Sequence, residues 1–225
     1  MRLVPWVLSV VVLSGCASGF DRGALKARMQ SEALPTTDEE IQQVQALKPQ
    51  LTFPCRIAVY LKPGPGGWRW TSQDKAVMEA WGKTLVKEGI ASDVFLMSDL
   101  FVPEGCTLKQ LRLAAARHGA DALFLIQGAA QTDSSLNPAA VFNLTVVGGF
   151  LVPGSREDAL FLMEGGLVDV GNGFLYAAIE AEGEGRVIRP TFIIDEKVAI
   201  EKAKRQAVEQ FGPELLRRLH HLRGS

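Results

Sequence analysis

Histidine is scarce in this chain of 225 residues, present only as His118, His220 and His221. Cysteine occurs only at Cys16, Cys55 and Cys106, and neither a Cys-x-x-Cys nor a His-x-x-x-His pair exists. The spacings that build zinc sites are therefore missing, and no metal is expected. The Gly-x-Ser-x-Gly elbow of hydrolases is missing too; Gly154-Ser155 reads as part of a turn with no histidine near it in sequence. The stretch Lys62-Pro63-Gly64-Pro65-Gly66-Gly67-Trp68-Arg69-Trp70 is glycine-rich but lacks the Gly-Lys-Ser/Thr ending and the Gly-x-Gly-x-x-Gly spacing of phosphate loops. Its prolines also remove amide donors that a phosphate cradle would use. Charge of one sign is lacking as well. A net charge of −1 supplies no global field to attract nucleic acid or anionic lipid. The carboxylates Asp121, Asp169 and Asp195 have ready roles as strand-end, sheet-surface and helix-cap groups. No catalytic residues and no cofactor are expected, and the chain reads as a non-enzyme.

Long apolar runs are few. The one from Leu3 to Leu13 spans about 11 residues, short of the roughly 20 that cross a bilayer as a helix. It follows Arg2 and leads through small residues into Leu13-Ser14-Gly15-Cys16, the order of a secretory leader over residues 1–15. The Leu-Ser-Gly-Cys ending resembles the lipobox of bacterial lipoproteins. That resemblance implies cleavage before Cys16 and acylation of its thiol and its new amino group. Each buried methylene contributes about 0.8 kcal/mol, so two or three acyl chains hold a protein on a membrane without a spanning helix. Ala17, where retention in the inner membrane goes with Asp, implies the periplasmic face of the outer membrane. The competing reading is a plain leader with a chance cysteine, or an uncleaved anchor.

What is present is a folded composition, 47% apolar and 22% charged. Residues 16–54 read as a lipidated tether with short helices, and residues 55–225 as a single α/β domain. In the tether, residues 20–30 are amphipathic. A second helix over residues 37–47 starts at a Thr37/Glu40 capping box. Segments this short need a body to dock on or stay mobile. In the domain, the strand-like run Arg56-Ile57-Ala58-Val59-Tyr60-Leu61 is followed by a helix capped at Thr71 or Ser72. Then come a strand at residues 93–98, a helix opening on a Thr107/Gln110 capping box, and a strand at residues 122–126. Strand, helix, strand, helix, strand with runs apolar on both faces predicts a parallel, three-layer-like βαβαβ sheet. Residues 141–152 and 159–170 read as long strands joined by a turn at Pro153-Gly154-Ser155-Arg156. Gly171-Asn172-Gly173 returns the chain into a strand at residues 174–179. The fold class is thus α/β, the parallel sheet being extended by an antiparallel meander and a long C-terminal helix that Gly212-Pro213 should kink or restart. Gly165-Gly166 should mark a bulge or a close approach.

Three constellations stand out. Trp68, Arg69 and Trp70 are either lids packed over the sheet edge or a partner-binding surface, since aromatic and arginine side chains dominate contact hot spots. Cys55 and Cys106 are candidates for a disulfide in an oxidising compartment, although one precedes a strand and the other follows a different strand. The hairpin 141–170 has arms long enough to span a membrane as β-strands, and its alternation fits lipid-facing strands and ordinary half-buried strands alike.

The Leu-Ser-Gly-Cys start and the strand Arg56-Ile57-Ala58-Val59-Tyr60-Leu61 carry a family resemblance, together with four later stretches. These are Thr107-Leu108-Lys109-Gln110-Leu111-Arg112, Gly119-Ala120-Asp121-Ala122-Leu123-Phe124-Leu125-Ile126, Gly149-Phe150-Leu151-Val152-Pro153-Gly154 and Leu167-Val168-Asp169-Val170. The chain resembles bacterial envelope lipoproteins of the rhombotarget (rhombotail) group. More loosely, it is similar to the α/β domain at the start of TolB and in the curli secretion lipoprotein CsgG. The resemblance implies a lipid-anchored periplasmic binding or scaffolding module that contacts an envelope protein or another copy of itself, without nucleic acid. The alternatives are an oligomeric secretion component inserting the hairpin 141–170, and an envelope hydrolase.

Overall fold

The computed structural model describes residues 19–29, 37–64, 68–98, 100, 102, 105–136, 153–190 and 196–224. The leader, Cys16 and Ala17, the first arm of the hairpin 141–170, residues 191–194 and the Asp195 cap lie outside the described residues. In chain order the elements are α1 (Arg22–Met29), α2 (Asp38–Gln45), β1 (Cys55–Leu61), α3 (Ser72–Lys87), β2 (Ala91–Leu96), α4 (Leu108–Arg117), β3 (Ala122–Leu136), β4 (Pro153–Asp169), β5 (Leu175–Pro190) and α5 (Glu196–Gly224). They form one sheet in the order β2-β1-β3-β4-β5. β1 is parallel to both of its neighbours, and β4 and β5 continue antiparallel. This is the α/β class expected.

Local chemistry sets the helix ends. Thr37 with Glu40, Thr71 with Asp74 and Thr107 with Gln110 all close reciprocal capping boxes, giving first-turn amides their missing acceptors. α3 and α4 stop just before Gly89 and Gly119, at φ of 68° and 70°, where a side chain would be strained.

Strand alternation sorts the core onto two faces. Ile57, Val59 and Leu61 of β1, Phe124 of β3 and Phe161, Met163 and Leu167 of β4 pack under α3 and α5. On the other face Ala58, Tyr60 and Leu123 meet Leu111 and Ala115 of α4. Further along that face, Ala129, Leu160 and Leu162 receive Leu25 and Met29 of α1. α1 therefore has a body to dock on, while α2 buries no residue.

β5 shows how one strand serves two layers. Glu180, Glu182 and Glu184 point to the α1 face, where Arg22 and Lys26 pair with them. Gly183 and Gly185 point the other way, and a Cβ on either would overlap the carbonyl oxygens of Ala203 and Ala199 on α5. Ala199, Ala203 and Ala207 are fully buried there, so the helix backbone lies directly on the strand.

Several expectations are corrected. Pro153-Gly154-Ser155-Arg156 is not a turn but the start of β4, paired with β3 as far as Leu136↔Ser155. Proline is tolerated there because a first strand residue need not donate to the ladder. β3 and β5 both run well past the expected ends at Ile126 and Ile179, because polar and small residues alternate on strands that have partners. Residues 159–169 are not an arm of a separable hairpin. β4 is hydrogen-bonded to β3 on one side and β5 on the other, and Leu160 and Phe161 on its two faces are fully buried. Gly212-Pro213 lies within a single α5 that does not restart. Gly165 marks a close approach, its missing side chain leaving room for the rings of Phe211 and Phe124.

Candidate functional site

The connection from β1 runs to α3 on one face of the sheet, and that from β2 runs to α4 on the other. In open α/β sheets ligands bind outside the carboxyl ends of the parallel strands, and β1 and β2 present theirs side by side. A cleft of about 150 Å³ lies there. Leu61 and Pro63 at the end of β1 and Leu96 and Met97 at the end of β2 line it, with Trp68, Arg69 and Trp70 from the glycine-rich loop and Lys75 from the first turn of α3. Backbone bonds hold the strand ends. The Met97 amide donates to the Val59 carbonyl at 2.8 Å, and the Lys62 amide to the Ile126 carbonyl at 2.8 Å.

The two tryptophans differ. Trp68 is 7% exposed and sits edge-to-face on Phe161, ring centroids 4.7 Å apart, and on Trp70 at 4.9 Å. Gly64 lies against its indole so closely that any Cβ would overlap the ring. Among the described residues the buried Trp68 Nε1 has no hydrogen-bond acceptor, and the residue packs as a lid on the core. Trp70 is half-buried, and its Nε1 donates to the Lys62 carbonyl at 3.1 Å. Arg69 and Lys75 are exposed, and neither has an ion-pair partner among the described residues.

The residue that positions the loop was missed by sequence reading. Lys204 of α5 is completely buried. Its Nζ forms ion pairs with Asp74 at 2.7 Å and Glu201 at 2.9 Å and donates hydrogen bonds to Glu201 and, at 2.9 Å, to the Arg69 carbonyl, so the buried charge is compensated. Asp74 Oδ2 also accepts from the Thr71 amide and hydroxyl, both at 2.8 Å. One buried cation thus joins α5, the start of α3 and the Arg69 backbone. A signal existed: Ile200, Lys204 and Val208 share helical spacing on the packed side of α5.

The other candidates resolve into structure. Cys55 and Cys106 are both free. Cys55 packs in the core beneath α3 and α5, and Cys106 on the α4 face, so the sheet stands between the two thiols. Burial, followed by the nearby Asp121, pushes the Cys55 thiol up to about 11, and burial raises that of Cys106. His118 caps the end of α4, and His220 lies 2.8 Å from Glu88. Asp121 accepts from the Arg56 amide at 2.7 Å as the expected strand-end group. Asp169 is not on the sheet surface. It is buried, holds the turn through the Gly171 amide at 2.7 Å, and accepts from the Tyr176 hydroxyl at 3.1 Å. Among the described residues no three His, Cys, Asp or Glu side chains converge on a point where a metal would sit. A larger hollow of about 350 Å³ beside α1 is lined by Arg22 and Lys26. Glutamates of β5 already pair with both cations, so it is electrostatically closed.

No family model matches the chain, and no curated protein matches it. Among solved structures, a PelC dodecamer from Paraburkholderia phytofirmans is 15% identical, covering 77% of this chain and 94% of that one, at a TM-score of 0.33. A putative neuraminyllactose-binding hemagglutinin homolog from Helicobacter pylori is 11% identical, over 80% and 93% of the two chains, with a TM-score of 0.43. Lipoprotein GNA1162 from Neisseria meningitidis is 15% identical, over 66% and 92%, at 0.32. At these identities and scores the likeness says nothing about function.

Proposed function

We propose that this chain is a lipid-anchored binding module of the bacterial cell envelope. Acyl chains on Cys16 hold it at the periplasmic face of the outer membrane, and the cleft at the carboxyl ends of β1 and β2 contacts another envelope protein without catalysis. One observation carries the reading: a cleft outside the carboxyl ends of β1 and β2, lined by indoles and two exposed cations, with the Arg69 backbone held by buried Lys204. Tryptophan and arginine are the residues most concentrated at contact hot spots. Among the described residues no carboxylate, histidine, serine or cysteine side chain lines the cleft. The anchor rests on the order of leader, small residues and Cys16.

The test places a photocrosslinking side chain at position 63 of the full-length chain in cells, where exposed Pro63 lines the cleft, and another at exposed Lys202 as control. A discrete adduct from position 63, absent from position 202 and lost in a Cys16→Ser background, is expected. Equal labelling from both positions, or none, overturns the reading.

A further inference from the structure

The size of the cleft chooses its occupant. Pockets for drug-sized ligands run to roughly 300–1,000 Å³, whereas this one offers about 150 Å³, the share of about five water molecules. That is room for a single amino-acid side chain. The distribution of charge narrows the choice. Leu61 and Trp68 are buried, and Leu96, Met97 and Trp70 are half-buried, while Arg69 and Lys75 are exposed at the rim. An aspartate or glutamate entering the cleft would drive its charge to the end of its stem, against Leu61 and Trp68, where desolvation opposes it. A chain terminus has the opposite layout, because its carboxylate is attached to the same Cα as its side chain. An apolar terminal side chain enters between the indoles and Met97 while the carboxylate stays at the rim, beside a guanidinium and an ammonium. The positive end of the α3 dipole, where Lys75 sits in the first turn, favours the same charge.

We infer that the cleft receives the C-terminal residue of a partner polypeptide, an apolar side chain inserted with its free carboxylate on Arg69 and Lys75. This deepens the binding reading above and rests on it. The mature lipidated chain in detergent micelles is titrated with acetyl-Ala-Ala-Leu as the free acid, the same peptide as its amide, acetyl-Ala-Glu-Ala amide, and inorganic phosphate. Binding is followed by calorimetry and by indole fluorescence. Saturable binding of the free acid in the millimolar range or below is expected, with no saturation by the other three. The double variant R69A/K75A should weaken it about tenfold or more, as loss of charge-assisted hydrogen bonds does. Both side chains are exposed, and Lys204 bonds only the Arg69 backbone, so the variant keeps its fold and its melting temperature is the check. Equal binding of acid and amide, equal binding of the internal glutamate or of phosphate, an unchanged R69A/K75A or no saturation by the acid each overturns the inference. If position 63 still crosslinks a partner while the free acid fails, only the chain-terminus inference falls. If both fail, the binding surface itself is misplaced.

Discussion

Lys204 shows how much one side chain decides. Burying an ammonium is unfavourable unless acceptors surround it, and here two carboxylates and a carbonyl do. Removing it with Lys204→Ala leaves Asp74 buried without its cation, so a loss of about 3–5 kcal/mol is expected, read by urea unfolding. The Arg69 carbonyl loses its donor as well, so the flanking Trp68 and Trp70 should loosen, seen as a change in indole emission. Cys55 offers a second test at this scale. Its folded pKa of about 11 lies above the ordinary thiol value of 9.0. Below pH 9 the buried thiol is neutral in both states and its contribution to stability is fully present. As pH rises from 9 to 11 the unfolded thiol ionises first, so that contribution falls. The stability difference between the wild type and Cys55→Ala should therefore be flat below pH 9 and shrink above it. A thiol reagent applied to the native chain at pH 8 should find Cys106 long before Cys55. Two oxidised cysteines would contradict the sheet standing between them.

At the scale of elements, β5 and α5 fit because glycine and alanine oppose each other. Gly183→Ala pushes a methyl into the Ala203 carbonyl and should cost about 1–3 kcal/mol by overpacking. At Gly166 an added Cβ meets Leu175 at 3.6 Å, an ordinary contact, so Gly166→Ala should stay within about 0.5 kcal/mol. Parallel melting curves of the two variants make the comparison. α1 is held by two kinds of contact whose sizes differ. Its ion pairs to β5 are half exposed, the kind that salt screens and that contributes little. Leu25 is 1% exposed, and truncating such a side chain removes about 2–5 kcal/mol. Leu25→Ala should thus speed amide exchange through α1 far more than glutamine at positions 180, 182 and 184 does.

The whole molecule is a sheet with its cleft strands at one edge and its docked N-terminal helix toward the other. Cys16 lies six positions before Arg22, a reach of about 20 Å. Under the anchor proposed above, with α1 docked, a lipid on Cys16 would keep the β5 side of the sheet near the bilayer and the β1–β2 cleft at the far edge. No helix among the described residues is long and apolar enough to cross a membrane. Under the proposed lipid anchor, a Cys16→Ser variant carrying a cleavable non-lipoprotein leader is expected in the soluble fraction after osmotic lysis. Retention in the pellet would contradict anchoring by lipid.

Much of this was legible in the chain because it depends on neighbours in sequence. Capping boxes, the apolar runs of the parallel strands and the 3.6-residue stripe of α5 are local patterns, and local patterns survive without knowledge of the fold. The second halves of β3 and β5 were not legible. Gln127 to Asp133 and Glu180 to Arg186 are strands only because β4 and α5 cover them, and their glycines and glutamates have little strand preference alone. The tryptophans appeared as a loop feature, but only packing against Phe161 and Gly64 separated the lid from the cleft wall. Lys204 looked like one more surface lysine. Its acceptors come from residues 69, 74 and 201, and chain folding alone brings the first two to it, since a buried charge is defined by what surrounds it in space.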